Sequence, residues 1–191
     1  MMTEDQEREL LSFRSNPDSD NIKIKEVIKR VLINDARIIH LLNNPDLDED
    51  CPDDYLYVNI LPYIRIPDTQ FQVKHFICFS TDFTDVSNRN QLMKYQYIKF
   101  IIFCWCSDIK TEYGIARHDL LGHLIQQDLN WTNLFGVQAK LISDKENISD
   151  TGYTCRTMQF ELRTPNGITR TLDSITKFIV NTPKETELNL N

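Results

Sequence analysis

The first periodic run of apolar residues begins near residue 22, after a polar leader. Apolar side chains recur at spacings of three and four residues, which predicts an amphipathic helix; they are Ile24, Val27, Ile28, Val31 and Leu32. Asn34 or Asp35 then predicts the cap of a second short helix, which extends through His40 and Leu42. Residues 1–20 are predicted to form a flexible or partly helical leader.

Residues 44–70 interrupt this periodicity with repeated Pro and Asp. Such residues favour turns, so the pattern predicts an irregular loop with at most a short extended piece around residues 60–66. The acidic run at residues 46–54 could also be read as a calcium loop. It lacks the spacing of carboxylates, the Gly and the terminal Glu of an EF-hand, so a solvated acidic loop is the favoured interpretation.

Two aromatic-rich segments with alternating polarity follow, at residues 72–83 and 93–106, and a polar turn joins them. They predict a β-hairpin. In the longer segment, odd-numbered residues from Tyr95 to Trp105 share one face and even-numbered residues from Gln96 to Cys104 share the other. The second half of this strand is apolar on both faces, which is typical of a central strand covered on both sides.

The segment between Thr111 and Leu129 carries one broad apolar face, which predicts a helix packed on the sheet; that face includes Ile115, Leu121, Leu124, Ile125 and Leu129. Thr111 or Asp108 is predicted to cap it. Residues 137–164 then alternate as two further strands joined by a polar turn at residues 142–150.

The resulting order of elements is α-α-loop-β-β-α-β-β. It predicts an α+β fold of two layers, in which the N-terminal helices and one crossover helix pack on a mixed, mostly antiparallel sheet of four to five strands. We expect one domain over residues 21–180, with a last apolar piece at residues 175–180 and a polar tail at residues 181–191.

Charge and composition narrow the classes of function. The net charge of −7 over 191 residues argues against a surface that binds nucleic acid throughout. A local basic cluster lies on the first helix, and a solvated helix face explains it better than a binding site; it comprises Lys23, Lys25, Lys29 and Arg30. No apolar run approaches the ~18 residues of a membrane span, and the start lacks a secretion signal, so we expect a soluble, cytoplasmic chain.

The densest set of reactive side chains lies on and before the predicted crossover helix, at Asp108, His118, Asp119 and His123. The two histidines lie five positions apart, about 140° around a helix, so one metal ion could not readily bind both. Asp119 and His123 could form a hydrogen-bonded pair, but the sequence contains no nucleophile elbow and no phosphate-binding Gly loop. Surface positions on the helix are therefore the favoured interpretation, with no catalytic activity and no cofactor.

Five cysteines are widely spread, and free, mostly buried thiols are expected. Cys104 and Cys106 would point to the same face if both lay on a strand. Because no second pair at ligand spacing accompanies them, core packing is favoured over a zinc site.

Three stretches together resemble a known group of proteins: IKTEYGIARHDLLGHLIQQDLNW, then FGVQAKLISDKENIS, then GYTCRTMQFELRTPN. They are similar to small neck and tail-completion proteins of long-tailed bacteriophages, and most of all to the tail terminators. The resemblance covers roughly residues 22–165. In that family too, a helix after the long strand of the sheet leads into a final pair of strands.

The resemblance implies a structural virion protein at the head–tail junction, assembled in the bacterial host cytoplasm. Such a protein forms a ring, usually a hexamer, that ends polymerisation of the tail tube. Its partners would be other copies of itself, the tail-tube protein, a head-closure or connector protein, and the sheath if the tail is contractile. DNA would pass through the ring without sequence-specific binding, and no membrane is involved.

Two alternatives stay open: another neck component that joins head to tail, and a small cytoplasmic enzyme or binding module. The polar connections are the segments free to contact neighbouring subunits. We therefore expect interface residues in the acidic loop and in the 142–150 turn, at Tyr55, Tyr57, Tyr63, Asp144, Lys145 and Glu146.

Overall fold

The computed structural model describes residues 2–14, 20–65, 74–86, 93–148 and 152–165. The chain divides into two compact units, one comprising Met1–Ser19 with Gly167–Asn191 and the other Asp20–Asn166. The described part of the first unit is a helix, α1 (Glu4–Leu10), followed by a 3-10 helix (Leu11–Arg14). The predicted apolar piece at 175–180 and the polar tail lie outside the described residues.

The second unit begins with the two predicted helices, α2 (Asp20–Asn34) and α3 (Ala36–Leu42). Asp35 caps α3, because its carboxylate accepts a hydrogen bond from the Arg37 backbone N–H at 2.9 Å. Asn43 ends α3 in the left-handed conformation.

The Pro- and Asp-rich segment contains little regular structure, as predicted. A 3-10 helix (Pro52–Tyr55) and a two-residue strand, β1 (Ile60–Leu61), are its regular elements within the described residues. The strand is shorter than the extended piece expected at residues 60–66, of which residue 66 lies outside the described part of the chain. β1 nevertheless joins the main sheet.

The sheet has five strands: β1, β2 (His75–Val86), β3 (Met93–Trp105), β4 (Ala139–Ile148) and β5 (Tyr153–Pro165). Their spatial order is β1-β2-β3-β5-β4. The β1–β2 pair is parallel, and the β2–β3, β3–β5 and β4–β5 pairs are antiparallel. The structure therefore confirms the predicted two-layer α+β fold with a mixed, mostly antiparallel sheet.

The helix-facing side of β3 is buried through the second half of the strand, whereas on the other side Phe103 is buried and Ile101 and Trp105 are only partly buried. Ile98, Phe100 and Ile102 contribute to the main core, which they share with α2, α3 and the crossover helix α4 (Arg117–Leu129). Phe103 lies on the other face, in a smaller cluster of side chains from the strands, where its ring stacks on Phe76 with centroids 4.9 Å apart. The large core fixes α4 against the sheet.

The start of α4 differs from the prediction. The helix begins at Arg117, and neither Thr111 nor Asp108 caps it. Thr111 instead donates its hydroxyl to the Ile115 carbonyl at 2.7 Å, which closes a loop before the helix. Ile115 was expected on the buried face, but it is exposed because it lies in this loop.

Two further expectations are wrong because elements begin or end elsewhere than predicted. β4 continues through Ile148, so most of the expected 142–150 turn is a strand that holds Asp144, Lys145 and Glu146. Cys106 lies in a 3-10 helix (Cys106–Asp108) and is exposed, whereas Cys104 lies on β3 and is buried. These two thiols therefore do not share a face.

Candidate functional site

Strand β4 forms one edge of the sheet, since it pairs only with β5 among the described residues. A register shift between Leu141 and Ser143 marks a β-bulge in this edge strand. Lys145 lies opposite Thr157, on the sheet face away from the helices, whereas Glu146 lies opposite Arg156 on the helix-facing side. Bulges and charged side chains are the usual protection of an exposed edge against non-specific strand pairing.

Arg156 connects this edge strand to α4. Its guanidinium donates two hydrogen bonds to the Asp144 carboxylate, at 2.8 and 2.7 Å, and a third to Asp119 on the helix. The side chain of Arg156 is only 24% exposed. A bidentate, partly buried pair of this kind fixes the relative position of its partners more firmly than a surface ion pair does.

Gly122 provides the space for this guanidinium on α4. A Cβ atom at Gly122 would lie 2.7 Å from both Cδ and Nε of Arg156. That approach is far shorter than a van der Waals contact, so an alanine would displace the arginine or the helix. The glycine is therefore required by the charge network and not by an unusual backbone angle.

His118 lies beside this network and is 2% exposed, so the expectation of a surface position is wrong for it. Its Nε2 lies 3.1 Å from Glu146 and 3.5 Å from Asp119. His123 is exposed, and the partners found for Asp119 are Arg156 and His118. The i,i+4 pair expected between Asp119 and His123 is replaced by contacts from α4 to β4 and β5.

These contacts hold α4, β4 and β5 in position relative to one another, and they provide no evident reactive group. Both oxygens of Asp144 accept hydrogen bonds from Arg156, so this carboxylate is occupied. Within the described part of the chain, no group of three or more His, Cys, Asp or Glu side chains could hold a metal ion. The arrangement attaches an edge strand and a helix to one central strand.

A second polar cluster, which sequence reasoning missed, connects the start of β2 to the start of α4. His75 is fully buried, and its Nε2 lies 3.1 Å from the carboxylate of Asp108. Arg117 donates to the Asp108 carbonyl at 3.2 Å and to the Leu41 carbonyl at 2.8 Å. Asn59 donates to the His75 carbonyl at 2.8 Å. Asp108, expected on a helix surface, is thus a partner of buried groups.

Burial lowers the pKa of His75 to about 4, although the hydrogen bond to Asp108 opposes this shift. Burial alone would raise the pKa of Asp108, but hydrogen bonding to His75 and the charge of Arg117 lower it overall. At neutral pH, His75 is therefore neutral and donates from Nε2 to an ionised Asp108.

The three tyrosines predicted as interface residues differ in exposure. Tyr55 is fully buried in the main core, so its expected role at an interface is wrong. Tyr57 is 60% exposed and Tyr63 is 44% exposed. Tyr57 has a positive φ of 65° and its ring lies 5.7 Å from Lys29 Nζ. Two of the three residues are therefore available for contact.

Residues 35–162 match the YomW family, a span from the cap of α3 to near the end of β5. The chain belongs to the YomW family. This family is phage-derived, so the protein is phage-associated, in agreement with the origin that the sequence resemblance implies. Both polar clusters lie within the matched region, whereas α1 and α2 precede it.

No curated protein matches the chain. Within the described residues, no helix is both long and apolar enough to cross a membrane.

Proposed function

We propose that this YomW protein is a ring-forming tail terminator at the head–tail junction of a long-tailed phage. The observation that carries the proposal is the placement of two candidate contact surfaces at opposite edges of one sheet. Tyr57 and Tyr63 flank β1 at one edge, and Lys145 and Glu146 lie on β4 at the other. With five strands, the two edges lie about 19 Å apart.

Two different surfaces on opposite sides of a subunit are the requirement for a head-to-tail contact between identical copies. Such a contact repeats until its rotation closes a ring. Tyr57 and Tyr63 offer exposed aromatic area, which is typical of interface anchors. On β4, the bulge and charged side chains disfavour indiscriminate strand pairing, so a neighbour would contact this edge through specific side chains.

The charge network behind β4 supports this role. Arg156 connects β5 to β4 through Asp144 and to α4 through Asp119, so the edge strand has a fixed position before a neighbour binds. An interface that is already in its bound geometry loses less entropy on association. A closed ring would end the tail tube on one side and present a surface to the head connector on the other. No catalytic step is needed for this function.

The partners follow from that position. They are other copies of this chain, the tail-tube protein, a head-closure or connector protein, and the sheath where the tail is contractile. DNA would pass through the ring without sequence-specific contacts.

Two experiments test the proposal. Light scattering of the purified chain should give about six times its mass of 22.5 kDa. A phage lacking the protein should produce tails of abnormal length. Tails of normal length that fail to join heads would instead identify another neck component, and normal infectious particles would exclude a structural role at the junction.

A further inference from the structure

The residue that follows the C-cap of α4 is a tryptophan in a backbone conformation that favours glycine. Trp131 has a φ of 62°, and the residue is 58% exposed. A left-handed conformation is disfavoured for a bulky side chain, and glycine commonly takes this position after a helix. The protein therefore holds an indole ring at its surface in spite of backbone strain.

Contacts to the start of β4 fix the backbone around Trp131. The Trp131 N–H donates to the Ala139 carbonyl at 2.7 Å, and the Ala139 N–H donates to the Thr132 carbonyl at 3.3 Å. The side chain of Asn130 accepts from the Leu141 N–H at 2.9 Å. These hydrogen bonds join the end of α4 to the sheet, so the backbone that carries the indole has a defined position before any ligand binds.

The indole ring forms one wall of a pocket at the end of the sheet where β4 begins and β5 ends. The pocket encloses about 450 Å³, a size typical of ligand sites. Its other lining residues are one apolar side chain and four polar or charged ones, namely Val137, Gln138, Lys140, Glu161 and Arg163. Lys140 Nζ lies 6.0 Å from the centre of the Trp131 ring. A flat aromatic ring beside cationic groups is suited to a planar base joined to a phosphate.

The charge around this pocket favours an anionic ligand. Glu161 is the one carboxylate on the sheet face away from the helices in β3, β4 and β5, whereas four cations lie on that face, namely Lys99, Lys140, Lys145 and Arg163. Arg163 pairs with Glu161 at 3.1 Å, but among the described residues no carboxylate is paired with the three lysines. Asp82 on the adjoining β2, opposite Tyr97, limits the basic area on that side. This part of the face is therefore basic, although the chain carries a net charge of −7.

Two further aromatic side chains lie beside the pocket on the same face. Tyr95 and Tyr97 of β3 lie opposite Arg163 and Glu161 of β5, and both tyrosines are partly exposed. The Arg163 guanidinium lies 5.5 Å from the centre of the Tyr95 ring. Aromatic rings interleaved with basic groups on an open sheet face are typical of proteins that stack unpaired bases.

We infer that this face binds single-stranded nucleic acid, with a base stacked on Trp131 and the adjoining phosphates beside Lys140 and Arg163. Every base has a flat face, so such a site binds with little sequence preference. A duplex keeps its bases in the stack and offers none to the indole without unpairing, so the single strand is the preferred form. This activity belongs to the subunit and does not require the proposed ring.

Fluorescence anisotropy of a labelled oligodeoxythymidine of about 20 nucleotides tests the inference on the full chain over a series of salt concentrations. Trp131→Gly removes the indole and suits the left-handed φ, so the thermal unfolding midpoint should not fall while affinity drops about tenfold or more. Lys140→Gln should weaken binding and reduce the slope of log affinity against log salt by about 0.7. Tyr113→Ala and Lys110→Gln, at exposed positions in the loop before α4, are the matched controls and should bind like the native chain.

Intrinsic fluorescence reports the stacking itself, because the chain contains only two tryptophans, Trp105 and Trp131. The oligonucleotide should quench the native emission, and Trp131→Phe should lose most of this quenching while it keeps part of the affinity, since phenylalanine still offers a ring. The same titration with oligouridine shows whether RNA or DNA is bound more tightly, and either preference agrees with the inference.

Several results would overturn the inference. One is no binding at low salt, and another is an affinity that Trp131→Gly leaves unchanged. Equal affinity for duplex DNA of the same length would show that phosphate charge alone is recognised, and quenching by maltotriose without oligonucleotide binding would identify a sugar site. If Trp131→Gly does not fold, the quenching in Trp131→Phe and the salt slope of Lys140→Gln decide instead. None of these measurements depends on assembly mass, so the proposed function stands or falls separately.

Discussion

Acidification should destabilise this protein through His75 before it protonates Asp108. The pKa of His75 is about 4 in the folded chain, against an ordinary value of 6.5, because the ring is buried. Between these two values the unfolded chain binds a proton that the folded chain does not. Stability therefore falls as pH decreases from 6.5 towards 4, and this contribution levels off below 4.

The magnitude follows from the two pKa values. Each pKa unit corresponds to about 1.4 kcal/mol, so the full loss is about 3 kcal/mol, of which about 2 kcal/mol is lost between pH 7 and pH 5. Asp108 has a lowered pKa, so its own contribution is lost only at pH values below the ordinary 3.8. Measurements between pH 7 and 5 therefore separate the contribution of His75 from that of Asp108.

Urea denaturation at pH 7, 6 and 5 measures this loss. In His75→Gln, the amide can still donate to Asp108 but cannot titrate, so the drop in unfolding free energy between pH 7 and 5 should shrink by about 2 kcal/mol. His123→Gln, at an exposed histidine, is the control and should follow the native profile. Parallel profiles for the native chain and His75→Gln would refute the reasoning, because they would show that His75 titrates alike in both states.

Three other substitutions test particular contacts. Gly122→Ala should destabilise by about 1–2 kcal/mol despite the better helix propensity of alanine, since its Cβ would overlap Arg156; a gain in thermal stability would contradict the geometry. Phe103→Ala should cost about 3 kcal/mol in urea unfolding, because its ring packs on Phe76 and Tyr153; a loss below about 1 kcal/mol would show that the smaller cluster contributes little. If the chain forms the proposed ring, Lys145→Glu should lower the assembled mass measured by light scattering and leave the unfolding free energy unchanged; an unaltered mass would remove this residue from the proposed interface.

Periodicity sufficed for the fold because the buried faces are continuous. The alternation from Gln96 to Cys104 and the spacing from Leu121 to Leu129 both reflect burial, which the structure shows directly. Asp35 was recognisable as a cap because a cap depends on its immediate neighbours. Helix capping by a neighbouring residue and burial of one face of an element can therefore both be predicted from the sequence.

Most of the wrong expectations arose where a distant residue determines the local structure. Thr111 is an exception, because it has the chemistry of a helix cap but closes a local loop through the Ile115 carbonyl, four residues further on. Residues 142–148 have the polarity of a turn, but pairing with β5 extends them as a strand. Tyr55 resembles a loop anchor by its acidic neighbours, yet its ring belongs to the main core. Such outcomes depend on tertiary contacts that propensity does not contain.

The sequence contains a weaker indication of the two polar clusters around Arg156 and His75. Arg156 lies on the same, helix-facing side of β5 as Met158 and Phe160. His75 likewise lies on the same side of β2 as Ile77 and Phe79. A titratable residue at an apolar position of a regular alternation must find a partner, since burial without one is costly. The sequence could thus indicate that partners exist, but Asp119 and Asp108 become identifiable only once α4 is placed on the sheet.

The position of the Arg156 network has a consequence for assembly. Replacing a partly buried ion pair by apolar side chains often leaves stability unchanged, so stability alone does not explain why three elements converge on one guanidinium. Directional hydrogen bonds fix register, and here they fix an edge strand that carries a bulge and is paired only on its β5 side within the described residues. In the proposed ring, a fixed edge strand would keep the angle between identical neighbours constant, because small errors in angle would add up around the ring and prevent its closure.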